Sequence, residues 1–286
     1  MSRITILCIA VLICLGQVGS ASASADDELV MGIFPRRNAS ITIHQFHPMA
    51  DYLSQQLHRK IKLETAKDFG SFWQGIAQRH YDLVHFNQYD YVQSKQEFGY
   101  EVILKNNEFG KPTIAGAILV RKDSNITRLQ ELKGRRIMFG GGKRALVSYI
   151  ATTYILREAG LKPGDYIEVF AKNPPNAVMG TYLRQADACG VGDIVLEMPI
   201  VRKRMNTDEL RIIATSTQLP HLPWAIKQEL PTVLRTQIVS ALSGLQKTTR
   251  GRAILNSARI DGLSPATDDE YDPVRKFIFE VTGKQY

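Results

Sequence analysis

Short apolar, β-branched runs alternate with longer amphipathic ones along almost the whole chain. "ELVMGIF" reads as a strand, and "ITIHQFHPMADYLSQQL" after it repeats apolar residues at Ile43, Phe46, Ala50, Leu53 and Leu57, near a 3.6-residue period. Strands "KIKLETA", "YDLVHF" and "YEVILK" are separated by the helical stretches "GSFWQGIAQ" and "YDYVQSKQ". The pattern continues through strand "TIAGAILVRK", helix body "ITRLQELKG", strand "RIMF", helix "RALVSYIATTYILREAG", strand "YIEVFA" and helix "NAVMGTYLRQ". Strand "ACGVG", helix "VLEMPIVRKRM" and strand "LRIIATS" follow, and the chain from Pro223 on reads as three helical stretches. Such alternation predicts an α/β fold of parallel sheets with helices on both faces.

No repeat, low-complexity tract or flexible linker divides the chain. Two lobes are nevertheless expected if two extended segments cross between them, and "TIAGAILV" and "LRIIATS" suit that role. The chain would go out once and return once, with residues 26–113 and 214–286 in lobe 1 and residues 114–213 in lobe 2. The cleft between the lobes would be the default ligand site.

The first 25 residues read as a targeting segment rather than fold. Arg3 precedes an apolar core from Ile4 to Leu15, and Ala23-Ser24-Ala25 forms an A-x-A cleavage site. The apolar run is too short to span a bilayer, so a secretory signal peptide cleaved near Ala25 is expected. Cys8 and Cys14 fall inside it, leaving Cys189 as the one thiol of the exported chain and excluding an internal disulfide. The net charge of +8 favours anionic partners, but the charge is spread along the chain, so nucleic acid is not indicated.

"FGGGKRA", Phe139 to Ala145, joins a short strand directly to a long helix. Glycines permit positive φ and close approach, and a helix start directs unpaired N–H groups into the gap. A P-loop is excluded, because Arg144 follows Gly142-Lys143 and Ile137 stands where the first glycine belongs. Gly140, Gly142 and Ala145 fit G-x-G-x-x-A, but no acid closes the next strand, since Glu168 lies in its middle. What remains is a plain strand-to-helix turn, or a cradle in which Gly141, Gly142, Lys143, Arg144 and Ser148 receive a small oxyanion.

Asn87, Gln88, Tyr89 and Tyr91 cluster after strand "YDLVHF", at the edge where open α/β sheets bind ligands. They form either an opposite wall with amide and hydroxyl groups or a polar turn whose tyrosines pack on the core. His44, His47, His58, His80 and His85 fall within one stretch, so a metal site is conceivable, though core and surface roles fit the spacing better. There is no G-x-S-x-G and no H-E-x-x-H, and Cys189 lies in a strand as a buried structural thiol would. No carboxylate pair stands out: Asp187 and Asp193 flank a strand as turn and cap residues would, although Asp193 could face the cleft. The expectation is a binder with no cofactor, not an enzyme.

With these residues in order, the chain resembles the solute-binding proteins of phosphate, phosphite and phosphonate uptake systems, a branch of the type II periplasmic binding proteins. Pro48, Ala50, Tyr52 and Leu53 match a Pro-x-Ala-x-Tyr-Leu pattern, and Ala66, Asp68 and Phe69 an Ala-x-Asp-aromatic step. "KGRRIMFGGGKRALVSYIATTYILREAGL", "KNPPNAVMGTYLRQADACGVGD" and "IIATSTQLPHLPWAIKQEL" complete the order. The resemblance implies a type II periplasmic-binding fold of two doubly wound α/β lobes. It also implies periplasmic capture of a small anionic solute, an ABC permease as partner, and a monomer. Phe69, Asp193 and His221 join the candidate site through it.

Departures bear on the ligand rather than the fold. The family's Ser-Thr-Ser-Gly loop meets Ala145-Leu146-Val147-Ser148, so Ser148 alone keeps a hydroxyl. Two cleft tyrosines appear as Phe69 and Phe86, a histidine falls near Pro174 or Pro175, and a carboxylate position meets Leu222 beside His221. A sensor reporting to a membrane receptor and a periplasmic metal-binding protein are the alternative roles.

Overall fold

A computed structural model describes residues 28–286; the segment read as a signal peptide lies outside the described residues. The outgoing half comprises β1 (Leu29–Ile33), α1 (Ala39–Leu57), β2 (Ile61–Thr65), α2 (Phe69–Ala77), β3 (Leu83–His85), α3 (Gln88–Phe98) and β4 (Tyr100–Asn107). The middle comprises β5 (Thr113–Ile114), β6 (Gly116–Arg121) and β7 (Arg136–Gly140), then a π-helical turn (Leu146–Ile150) running into α4 (Ala151–Glu158). After these come β8 (Ile167–Ala171), α5 (Pro174–Tyr182), β9 (Ala188–Gly192), α6 (Pro199–Arg202) and β10 (Leu210–Thr215). The return half comprises β11 (Leu219–Pro220), β12 (Pro223–Lys227), α7 (Thr232–Gly244), α8 (Thr249–Ala258), β13 (Gly262–Pro265) and α9 (Asp272–Thr282).

Two large sheets result, ordered β13-β4-β12-β3-β1-β2 and β10-β6-β9-β7-β8, one in each lobe, with a two-stranded β11-β5 ribbon besides. α1 illustrates why the local pattern works. Asn38 accepts the Ile41 N–H as N-cap, and the face carrying Phe46, Met49, Ala50, Leu53 and Leu57 is buried against the first sheet. The sheets are mixed rather than wholly parallel. β1 runs parallel to β2 and β3, and β7 to β8 and β9, but β12 and β6 lie antiparallel to their neighbours. These two are the strands that follow the crossings, so each enters its sheet from the other lobe and runs against the βαβ strands.

Several local expectations are corrected. Pro223–Lys227 is a strand between β4 and β3, not the start of a helical tail. "ITRLQELKG" and "VLEMPIVRKRM" form short 3₁₀ turns, the latter with only the four-residue α6. "TIAGAILV" crosses between the lobes only at its start, and "LRIIATS" is mostly the edge strand β10. The crossing is an antiparallel ribbon in which Ile114 pairs with Leu219 and Thr113 with Pro220.

The lobes also touch through the C-terminal helix. Phe277 of α9 stacks on Tyr154 of α4 at 4.3 Å, and Arg157 donates to the carbonyls of Glu280 and Val281. Cations at a helix C-terminus satisfy carbonyls that the helix cannot. One buried apolar cluster therefore runs from Phe86 and Tyr91 through Val274 and Ile278 to Ile150 and Phe139.

Candidate functional site

The strand-to-helix turn after β7 has a different reason for each of its first two glycines. A Cβ on Gly140 would sit 2.5 Å from the Pro174 backbone, so this glycine serves the packing of β7 against α5. Gly141 has φ +139°, which L side chains rarely adopt. Gly142 faces open space. Ala145 caps the helix without a side-chain hydrogen bond, so the first-turn amides of Leu146, Val147 and Ser148 have no acceptor in the helix itself.

The side chains around this turn are more committed than their residue types suggest. Ser148 is buried and its hydroxyl donates to the Gly140 carbonyl at 2.8 Å, so its proton is not free for an anion. Lys143 is exposed and lies 3.4 Å from Glu168 Oε2, whose other oxygen accepts from the Tyr149 hydroxyl. Arg144 leaves lobe 2 altogether. Its guanidinium donates to Asp90 Oδ1 at 2.6 Å and to Gln93 Oε1 at 2.9 Å, both on α3 of lobe 1. It lies 4.1 Å from the Tyr89 ring centroid and 5.7 Å from that of Trp73. Arg144 is thus an interlobe contact, not a free cation lining a cradle.

Across the gap, Asn87 caps α3, accepting the Asp90 N–H and donating to Asp90 Oδ2. Tyr89 is buried beneath Arg144 and packs edge-on against Tyr286. Gln88 is buried and donates to the Pro220 carbonyl on the crossing ribbon. Phe69 opens α2 half-exposed, its ring 6.2 Å from that of Phe34. Tyr89 and, through Asp90, Asn87 are brought to the glycine turn by Arg144, whereas the ring contact of Phe69 is with Phe34.

Three expected site residues are placed elsewhere. Tyr91 is fully buried among Phe86 and Tyr271, and its hydroxyl donates to Asp268, so it is a core residue of lobe 1. Burial raises its pKa. The tyrosines of "YDYV" are two positions apart, which on a helix means nearly opposite faces. Asp193 sits beside the crossing ribbon: Oδ1 accepts the Ala115 N–H and Oδ2 the Gln218 side-chain amide, so one carboxylate ties both crossing segments. His221 lies under the ribbon, 2% exposed, its Nδ1 accepting the Leu222 N–H, and burial lowers its pKa.

The histidines do not converge. His47 pairs with Asp51, His80 with Glu64, and His85 is buried in the first sheet. Among the described residues, no group of three or more His, Cys, Asp or Glu is placed to hold a metal. Cys189 is buried, which pushes its thiol up to about 12, well away from nucleophile chemistry. Sequence reasoning missed Asp90, Gln93 and Trp73, the partners of Arg144. An acid in the first turn of a helix at a sheet edge was the available signal.

Residues 31–271 match the profile of a family described as ABC transporter, phosphonate, periplasmic substrate-binding protein. Solved structures share the fold at low identity. A binding-protein component of an ABC phosphonate transporter from Pseudomonas aeruginosa is 15% identical with TM-score 0.72, covering 88% of this chain and 86% of that one. PhnD1 from Prochlorococcus marinus in complex with methylphosphonate is 17% identical with TM-score 0.74, covering 90% and 99%. A Xanthomonas citri protein bound to ATP is 16% identical with TM-score 0.74, covering 90% and 97%.

Proposed function

Because the chain belongs to the phosphonate-binding family of periplasmic ABC-transporter substrate-binding proteins, we propose that it captures a small phosphonate- or phosphate-like oxyanion between its lobes. The role is capture, not chemistry, and delivery is to an ABC permease in the inner membrane. We further assign the chain to the periplasm as a monomer, released by cleavage near Ala25.

The observation that carries the site is the uncapped helix start at Leu146–Ser148, with Gly142 open beside it, on the turn whose Arg144 reaches α3 of the other lobe. Backbone amides at a helix start bind tetrahedral oxyanions without needing the hydroxyls that this loop lacks. Lys143 is the cation free to swing from Glu168 toward a ligand. Asn87 and Phe69 would complete the lobe 1 wall. Arg144 acts as the latch between lobes, and Asp193 with Gln218 as the hinge tie.

Methylphosphonate, phosphate, phosphite, sulfonates and carboxylates should be compared by thermal shift. A ligand at a hundred times its dissociation constant adds about 2.7 kcal/mol of stability. Stabilisation by phosphonate or phosphate, and not by carboxylates, is expected. A response to carboxylates alone would remove this assignment.

A further inference from the structure

The two ends of the Arg144 bridge present groups of opposite kinds. On lobe 2 its own turn offers donors, the first-turn amides of Leu146, Val147 and Ser148 beside the open Gly142. On lobe 1 the start of α3 offers acceptors. Asp90 Oδ1 and Gln93 Oε1 point to one place, and the faces of the Tyr89 and Trp73 rings border it. Neighbouring groups hold both acceptors in that orientation. The Asn87 amide donates to the other oxygen of Asp90 at 2.6 Å, and Gln93 donates its own amide to Glu97, which leaves Oε1 to accept. Tyr286, the last residue of the chain, backs the Tyr89 ring edge-on.

A carboxylate, an amide oxygen and two ring faces together make a cation site. Here the cation is the protein's own, the Arg144 guanidinium reaching across from lobe 2. Among the described residues no other cation pairs with Asp90, whose side chain is buried. A buried carboxylate is costly without a positive partner, so the place favours a cation whenever Arg144 leaves it. Arg144 is half-exposed, so the place it fills opens on solvent.

Arg144 stands two residues before Leu146, so an oxyanion on the turn amides has the cage within reach of a single side chain. A ligand with an oxyanion head and a positive tail would put its head on lobe 2 and its tail in the cage, in direct competition with the guanidinium. A ligand with the head alone leaves Arg144 where it is.

We infer that Arg144 is a specificity-determining residue of the interlobe site. By filling the cation cage of Trp73, Tyr89, Asp90 and Gln93 it restricts the ligand to compact oxyanions and turns away phosphonates that carry an ammonium or guanidinium group. The discrimination comes from a built-in competitor that acts against the wrong ligand, not from an added contact with the right one. The ligand choice rests on the oxyanion reading given above; the cage does not, since protein groups alone build and fill it.

Methylphosphonate and 2-aminoethylphosphonate share the oxyanion head and differ in the ammonium, so the ratio of their dissociation constants is the readout. Both ligands need the same closed lobes, and any loss of the latch cancels in the ratio. In the wild-type protein methylphosphonate should bind more tightly by about tenfold or more, the worth of one charge-assisted hydrogen bond. In Arg144→Ala that preference should vanish or reverse, and in Arg144→Ala/Asp90→Asn the aminated ligand should lose its gain. The cage is read separately with ethylguanidinium, the arginine head group on a short stem. The chain has two tryptophans, and Trp224 is fully buried, so Trp73 is the responsive fluorophore. A saturable change in emission is expected in Arg144→Ala, and neither in the wild-type protein nor in the double variant. Three results would each overturn the inference: an unchanged ratio in Arg144→Ala, a wild-type protein that binds both phosphonates equally, or an Arg144→Ala protein that ignores ethylguanidinium. If neither phosphonate binds either protein while ethylguanidinium fills the Arg144→Ala cage, the oxyanion reading falls and the cage remains.

Discussion

Arg144→Ala isolates the contact between the lobes. The substitution removes the donations to Asp90 Oδ1 at 2.6 Å and Gln93 Oε1 at 2.9 Å, and the stacking over Tyr89 at 4.1 Å. Hydrogen bonds involving a charged group contribute about 1.5–3 kcal/mol, and an exposed cation–π contact about 0.5–1 kcal/mol. The Arg144 side chain is 49% exposed while that of Asp90 is 5% exposed, so solvent screens one partner and not the other. Asp90 would also keep its bond from Asn87. These considerations leave about 2 kcal/mol for the closed arrangement of the lobes, or roughly thirtyfold in its population.

That factor must surface in one of two measurements. If the free protein is mostly open, ligand affinity falls by up to about thirtyfold, because binding selects the closed fraction. If it is mostly closed, affinity changes little and the free protein opens, raising the radius of gyration in small-angle X-ray scattering. Calorimetry with the ligand found by thermal shift and scattering of the free protein together cover both cases. Lys143→Ala removes only an exposed pair and should leave the free-state scattering unchanged. If Arg144→Ala moves neither affinity nor radius of gyration, the latch reasoning is refuted. A double-mutant cycle with Asp90→Asn should then show no coupling.

Stability should fall with acid in two overlapping stages. His85 has a folded pKa of about 3 against 6.5, so below pH 6.5 the unfolded chain takes a proton that the fold refuses. Burial opposes ionisation of Glu108, but Arg36 and the Asn106 amide outweigh it and hold its pKa at about 2 against 4.5, so its contribution is lost between those values. A loss of several kcal/mol between pH 7 and pH 3 is expected in urea titrations. A flat profile would contradict it, and His85→Phe should flatten the stage nearer neutrality. Gly141→Ala forces a side chain into φ +139°, with its Cβ 3.0 Å from that of Ala145. A loss of about 1–2 kcal/mol is expected in the same assay. Asp193→Ala removes the tie between Ala115 and Gln218. It should raise hydrogen exchange at residues 113–116 and 216–220 more than in either sheet; uniform exchange would argue against a hinge role.

The fold class was legible because periodicity is a local property. The apolar spacing of α1, the strand-and-helix alternation and the glycines at the β7 turn each report what one segment can form by itself. Their order was enough to identify the family. What the sequence alone did not decide are the pairings between distant segments. Pro223–Lys227 reads as helical in isolation, yet it closes the first sheet because its neighbours β3 and β4 lie far back in the chain and offer a central slot. Proline is accepted there as the first strand residue, where its missing N–H costs least. Arg144 reads as a ligand cation until α3 supplies Asp90 and Gln93, and Tyr91 reads as a cleft residue until α9 and Asp268 enclose it. Charge and hydroxyl groups act through whatever reaches them, and only the tertiary arrangement determines which partners do.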